Sequence, residues 1–256
     1  MILTALRLIV VFAWTLYVST VLLVGLLINP QITWYHSFVR KWARWTLRIF
    51  NIRMRVVGAE HVEPGQTYIY AVNHASMFDI FAVQTGIPDD VHIMFKKELG
   101  RVPIWGWALA RSPYIMIDRY HAREASAGLE RAAAAIKSGK SVLVYAEGTR
   151  TRNGALQPFK RGAFALAAKA GVPVIPVTIN NTFGILRKGS LNVHSSDIEL
   201  ILESPISTAG REGREGELEL MEEVRKAIEK NYRDQSGEET RTESMDLSAR
   251  SNEQGK

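Results

Sequence analysis

The chain has 256 residues, 46% of them apolar, which is enough for one sizeable domain with its own core. It contains no cysteine, so disulfide frameworks, thiolate catalysis and Cys-based metal or iron–sulfur sites are excluded. A formal net charge of +6 suits nucleic acid, anionic lipid headgroups or phosphorylated substrates, and charge alone does not choose among them.

From Leu8 to Asn29 no residue is charged. A run of roughly 20 apolar residues is long enough to cross a hydrocarbon core as a helix. It is too long for a signal-peptide core, only Arg7 precedes it, and no small-x-small cleavage site follows. Pro30 then stops the helix. Over residues 32–50, Trp34, Phe38, Trp42, Trp45 and Phe50 are interleaved with Arg40, Lys41, Arg44 and Arg48. Aromatic and cationic residues at near-helical spacing suit an interfacial helix on an anionic membrane. Residues 1–50 are therefore expected to form a membrane-associated helical hairpin, either spanning the bilayer or lying in one leaflet. The plainer alternative is an apolar helix packed on the domain.

From residue 51 strand and helix patterns alternate. Strands are predicted at 52–58, 67–72, 91–95, 114–117, 141–146, 173–179 and within 191–203. Helices are predicted at 77–86, 103–111, 121–138 and 160–170, the last two ended by Gly139 and Gly171. A surface helix follows at 211–235, with Leu218, Met221, Val224 and Ile228 at helical spacing. Such alternation predicts an α/β domain over 51–235, a largely parallel sheet flanked by helices. Residues 236–256, poor in aliphatics and without aromatics, are expected to be a disordered tail.

In parallel sheets ligands bind beyond the carboxyl ends of the strands, so the residues just past each strand carry the information. After 67–72 comes Asn73-His74-Ala75-Ser76-Met77-Phe78-Asp79. Five helical steps rotate a side chain by about 140° off the starting face. His74 and Asp79 meet only if His74 sits in the turn and Asp79 folds back from the next helix. Asp79 would then hold one imidazole nitrogen and leave the other as a base. The alternative is an Asp that caps the helix beside a solvated His. After 141–146 comes Glu147-Gly148-Thr149-Arg150, in which Gly148 permits close backbone approach and Arg150 offers a planar fork suited to phosphate. The alternative there is a surface Glu–Arg ion pair. Lys96 and Lys97 follow the third strand, and Asp118 and Arg119 the fourth; singly, such charges are usually solvated. Together these strand ends bring one His, one Glu and several cations to one edge, which fits a substrate with an anionic headgroup and a hydroxyl to be deprotonated.

Other chemistries lack their motifs. There is no G-x-S-x-G nucleophile elbow, no P-loop and no dinucleotide fingerprint, and His74 and Asp79 have no further clustered ligands that would favour a metal. Four of the six tryptophans sit in the apolar N-terminal third instead of on a basic stacking surface, which argues against nucleic acid. A purely lipid-binding membrane protein would not need a His–Asp pair.

The blocks NHASMFD (73–79), FKKEL (95–99), YIMIDR (114–119), YAEGTR (145–150) and VPVIPV (172–177) resemble, in order, those of the glycerolipid acyltransferase family, and within it the bacterial 1-acyl-sn-glycerol-3-phosphate acyltransferases. The resemblance covers roughly residues 51–205. It implies the glycerol-3-phosphate acyltransferase-like fold, with His74 as the base that deprotonates the acceptor hydroxyl and Asp79 as its orienting partner. It also implies that Glu147, Gly148, Thr149 and Arg150 hold the glycerol phosphate, with Arg119 and Lys96 on the same headgroup. The family commonly has Pro where Ala146 stands, and often an aromatic where Met116 or Ile117 stands. The implied reaction is direct transfer of an acyl group from acyl-CoA or an acyl carrier protein (acyl-ACP) to the 2-hydroxyl of 1-acyl-sn-glycerol-3-phosphate (lysophosphatidic acid), giving phosphatidic acid, without a cofactor or metal. Sister acceptors are glycerol-3-phosphate, a lyso-ornithine lipid or another lysophospholipid. The expected location is the inner (cytoplasmic) membrane with the catalytic domain on the cytoplasmic face, in keeping with the cationic cluster in 40–48.

Overall fold

Each run of β-branched and aromatic residues predicted to be a strand contains one in the computed structural model, which describes residues 2–118 and 122–233, the side chains of 122–126 excepted. The strands are β1 (Met54–Val57), β2 (Ile69–Val72), β3 (His92–Lys96), β4 (Ile115–Ile117), β5 (Val142–Tyr145), β6 (Val174–Asn180) and β7 (Ile198–Leu202). They form one sheet in the order β1-β7-β6-β2-β5-β3-β4. The central pairs β2–β5, β2–β6, β3–β5 and β3–β4 are parallel, as is β1–β7; only β6–β7 is antiparallel. Parallel neighbours need crossovers. These are supplied by α3 (Phe78–Gly86), α4 (Trp105–Arg111), α5 (Ala122–Lys137) and α6 (Gly162–Ala170). The expected tail at 236–256 lies outside the described residues.

Two faces follow from the period of two along each strand. Tyr70, Val72, Leu143, Ile175, Val177 and Ile179 face one way, onto Leu47, Phe78, Ala82 and Val83. Ile69, Ala71, Val142, Val144 and Val174 face the other way, onto helices α5, α6 and α8 (Gly213–Asn231). On α8 the buried stripe is Leu220, Val224 and Ile228, all fully buried, whereas Leu218 is 41% exposed. The predicted stripe was therefore misplaced at its first position: spacing of four residues selects Leu220. Fully burying side chains of this kind contributes about 1.5–3 kcal/mol each.

At the N-terminus α1 (Ile2–Ile28) is long and apolar enough to cross a membrane. At about 1.5 Å per residue it spans about 40 Å. It turns Val18, Leu22 and Leu26 toward Tyr35 and Val39 of α2 (Tyr35–Ile49). The Trp42 indole donates to Thr15 Oγ1 at 3.0 Å. Contacts between the helices thus run in opposite order along the two chains. Leu47 and the following Phe50 enter the core of the α/β domain, and Phe50 meets Phe78 edge-on. Ile9 (65%), Phe12 (71%) and Leu27 (61%) of α1 stay exposed, as do Lys41, Arg44, Trp45 and Arg48 of α2. An apolar face of this extent, beside cations and a tryptophan, is the surface composition that contacts lipid.

Candidate active site

The carboxyl ends of β2, β3, β4, β5 and β6 share one edge of the sheet, and the site is built there. At Asn73 the chain leaves β2. The Asn73 amide donates to the Ile179 carbonyl (2.9 Å) and accepts from the Ile179 N–H (2.7 Å), which ties the turn to β6. His74 follows with its side chain 14% exposed. Asp79, in the first turn of α3, is fully buried and reaches back to it. Its Oδ2 accepts from His74 Nδ1 (2.7 Å) and from the N–H groups of Ala75 (2.7 Å) and Ser76 (2.8 Å). Its Oδ1 accepts from the Thr182 hydroxyl. The chain from His74 to Met77 is not helical and α3 begins only at Phe78, which is why a spacing of five brings His74 and Asp79 together. With Nδ1 donating to a carboxylate, Nε2 presents the lone pair of the ring.

The Glu147 carboxylate is buried, and both of its oxygens are engaged: Oε1 by the His74 backbone N–H and Oε2 by the Gln157 N–H at 2.8 Å. Thr151 N–H donates to the His74 carbonyl at 2.9 Å. The loop after β5 therefore clamps both polar groups of the His74 backbone. Burial pushes the Glu147 carboxyl up from 4.5 to about 7, against the two backbone donors that pull it down. Gly148, at φ +72°, makes the left-handed turn that sends the chain back over Glu147, a conformation costly to any residue with a Cβ.

Beneath the imidazole lies Tyr145. The two rings are stacked, with centroids 3.9 Å apart and planes 18° from parallel. Its hydroxyl oxygen is shut off from solvent and has no hydrogen-bond partner among the described residues. An unpaired buried hydroxyl costs about 1–3 kcal/mol. Burial, with the Asp79 charge adding to it, holds this phenol well above its ordinary pKa, so it is neutral.

Cations lie along the same sheet edge. Lys96 ends β3 on the same edge, with its ammonium 3.5 Å from Glu98. Thr149 is exposed, and Arg150 is partly buried. Lys188 Nζ reaches Thr149 Oγ1 (3.2 Å) and the Arg150 carbonyl (3.4 Å). Arg119 lies outside the described residues. The structure thus brings His74, Asp79 and Glu147 into direct contact through Asp79 Oδ2 and the His74 backbone, and sets Lys96, Thr149 and Arg150 at the same edge. Surface depressions elsewhere, along β1 and β7 and near Asp89, are distant from this edge. In the first of these, Glu199 already pairs with Arg55 and Arg233.

Tyr145, Thr151, Thr182 and Lys188 were not singled out in the sequence. Thr182 opens α7 (Thr182–Ile185), a single turn too short to leave a periodic signal. Lys188 sits in an irregular segment. Tyr145 reads as an ordinary strand residue. Ser76, adjacent to His74 in the turn, spends its hydroxyl on the Leu186 carbonyl (2.7 Å).

Comparisons with known proteins point to one family. A family model described as Acyltransferase matches residues 53–180, half of the chain. The chain is 33% identical over 175 residues to a chloroplastic 1-acyl-sn-glycerol-3-phosphate acyltransferase, BAT2, of Brassica napus, covering 67% of this chain and 50% of that one. It is 32% identical over 163 residues to the human 1-acyl-sn-glycerol-3-phosphate acyltransferase alpha, covering 63% and 58%. The chain spans about half the length of the curated relatives it matches. The crystal structure of the 1-acyl-sn-glycerophosphate acyltransferase PlsC from Thermotoga maritima superposes with a TM-score of 0.73 over 90% of this chain and 96% of that one, at 21% identity, and so shares its fold. On the match over 53–180, which spans every strand end that carries the site, the chain belongs to the acyltransferase family.

Proposed function

We propose that the chain transfers a fatty acyl group from a thioester donor, acyl-CoA or acyl-ACP, to the 2-hydroxyl of 1-acyl-sn-glycerol-3-phosphate, giving phosphatidic acid. The observation that carries this reading is the buried Asp79 holding His74 Nδ1 at 2.7 Å, which leaves Nε2 as a base at a cationic edge. The relatives' names carry the same acceptor.

In this reaction the acceptor oxygen attacks the thioester carbonyl carbon while its proton passes to His74 Nε2. The tetrahedral oxyanion collapses, the C–S bond breaks, and the leaving thiolate recovers the proton from the imidazolium. Asp79 stabilises that imidazolium and fixes its tautomer. Glu147 acts through the backbone of His74 and holds the base in place. Arg150, Lys96 and Arg119 take the phosphate, with Arg150 suited to a bidentate grip. Positioned general-base catalysis contributes on the order of 100- to 10,000-fold. The exposed face of α1 and the cations of α2 seat the domain on a membrane, which is where a lysolipid acceptor resides. We place it on the cytoplasmic face of the inner membrane, where acyl thioesters are made and where the cluster of Lys41, Arg44 and Arg48 agrees with the charge bias of loops on that side.

The test is acyl transfer from palmitoyl-CoA and from palmitoyl-ACP to lysophosphatidic acid in detergent, for the native chain and for His74→Ala. Phosphatidic acid formed by the first and lost in a folded second supports both reaction and base. No transfer by the native chain from either donor would overturn the choice of acceptor.

A further inference from the structure

The hydrogen bonds to His74 act at its backbone and at one edge of the imidazole, not on the face of the ring. Asp79 holds one atom, Nδ1, and that bond resists rotation about Cβ–Cγ. The Glu147 and Thr151 contacts act on the backbone and do not reach the ring. The plane matters because the Nε2 lone pair lies in it, and proton transfer requires that lone pair to point at the acceptor oxygen.

The Tyr145 ring stacks on the imidazole. Its placement follows from the sheet. Parallel register sets Tyr145 opposite Val72. His74 is two residues further along, on the same side of the chain as Val72, so its imidazole runs past the strand end and lies over the Tyr145 ring at 3.9 Å. The tyrosine packs against the apolar core on this face of the sheet, so the platform cannot shift without disturbing that core. A flat aromatic surface against the imidazole adds a steric restraint on its plane to the one the Asp79 bond supplies. Its π face is also electron-rich and attracts the cation more than the neutral ring, an interaction that strengthens as the proton arrives.

We propose that Tyr145 is a positioning residue for His74: its ring sets the plane of the imidazole and favours the imidazolium formed during transfer. The proposal rests on the general-base role assigned to His74 above. The hydroxyl has no part in it. It has no hydrogen-bond partner among the described residues, and a phenylalanine would present the same face without the cost of a buried unpaired group.

The experiment uses the full chain in detergent with Tyr145→Phe, Tyr145→Leu and Tyr145→Ile, the last because a β-branched residue suits a strand if Leu fails to fold. Imidazole proton resonances are first assigned to His74 by their loss in His74→Gln. In the native chain the stacked ring shifts them upfield; Tyr145→Phe keeps that shift, and the Leu and Ile variants abolish it. This readout needs no substrate, so it stands even if the acceptor has been chosen wrongly. In the transfer assay the aliphatic variants lower kcat about tenfold with the KM for lysophosphatidic acid unchanged, and Tyr145→Phe rescues kcat. An upfield shift that survives in the aliphatic variants would overturn the stack. Unchanged kcat in folded aliphatic variants would overturn its catalytic value. A Tyr145→Phe variant as slow as Tyr145→Leu would also overturn the proposal, by assigning the effect to the hydroxyl.

Discussion

Glu147 Oε1 accepts a hydrogen bond from the backbone N–H of His74, a residue 73 positions earlier in the chain. A side chain read from the sequence as a holder of substrate is thus turned inward, onto the backbone of the base. Glu147→Gln places an N–H against a donor and loosens the clamp. The expected result is a kcat lowered about 10- to 100-fold with little change in the KM of the acceptor, since a mispaired buried group costs about 1–3 kcal/mol.

The same residue predicts a pH dependence of stability. Its carboxyl is raised in the fold from 4.5 to about 7, chiefly by burial. The folded state therefore binds this proton more tightly than the unfolded state does. The contribution to stability is fully present below about pH 4.5 and is lost as pH rises through about 7. The Tm of the native chain minus that of Glu147→Gln, followed in detergent, should fall across that window. A flat difference would refute the assignment.

His74→Ala and Asp79→Asn test the base and its partner. Loss of the base is expected to lower kcat by about 100- to 10,000-fold. Asp79→Asn retains the volume but removes the charge that faces the imidazolium and disturbs the tautomer, so a loss within the same range is expected. Single-turnover rates with bound acceptor separate this from weaker binding.

Thr182→Val leaves Asp79 Oδ1 without its hydroxyl donor inside the protein. Hydrogen bonds to charged groups contribute about 1.5–3 kcal/mol. The variant should unfold at lower denaturant and lose roughly tenfold in kcat, and Thr182→Ser should restore both. A Thr182→Val variant as stable and as active as the native chain, with Thr182→Ser impaired, would mean that the methyl, not the hydroxyl, matters.

Arg150→Ala and Lys96→Ala are expected to raise the KM for lysophosphatidic acid about 10- to 100-fold each, with kcat less affected. Arg150→Lys should not rescue, because an ammonium lacks the planar fork. A monoacylglycerol acceptor, which has no phosphate, should show native and variant chains alike. A variant penalty that persists without the phosphate would argue against the headgroup role.

The strands, the crossover helices and the parallel character of the sheet were legible in the amino-acid order, because a two-residue or 3.6-residue period is a local property that survives without the fold. The chemistry-bearing positions were legible for a related reason: His74 and Glu147 fall just past strand ends and Lys96 is the last residue of a strand, and a parallel sheet collects such ends at one edge. What each side chain does there was decided only by tertiary structure. Whether Asp79 folds back onto His74 or merely caps a helix depends on a turn held by Asn73 and Thr182, whose partners are Ile179 and Asp79 itself, over 100 positions from them in the chain. Glu147 turns inward because β5 lies beside β2, and Tyr145 lies under the imidazole because the register sets it opposite Val72. No local period encodes strand order or register. These are settled when the two apolar faces of the sheet are buried together, and that burial places Tyr145 and Glu147 against His74.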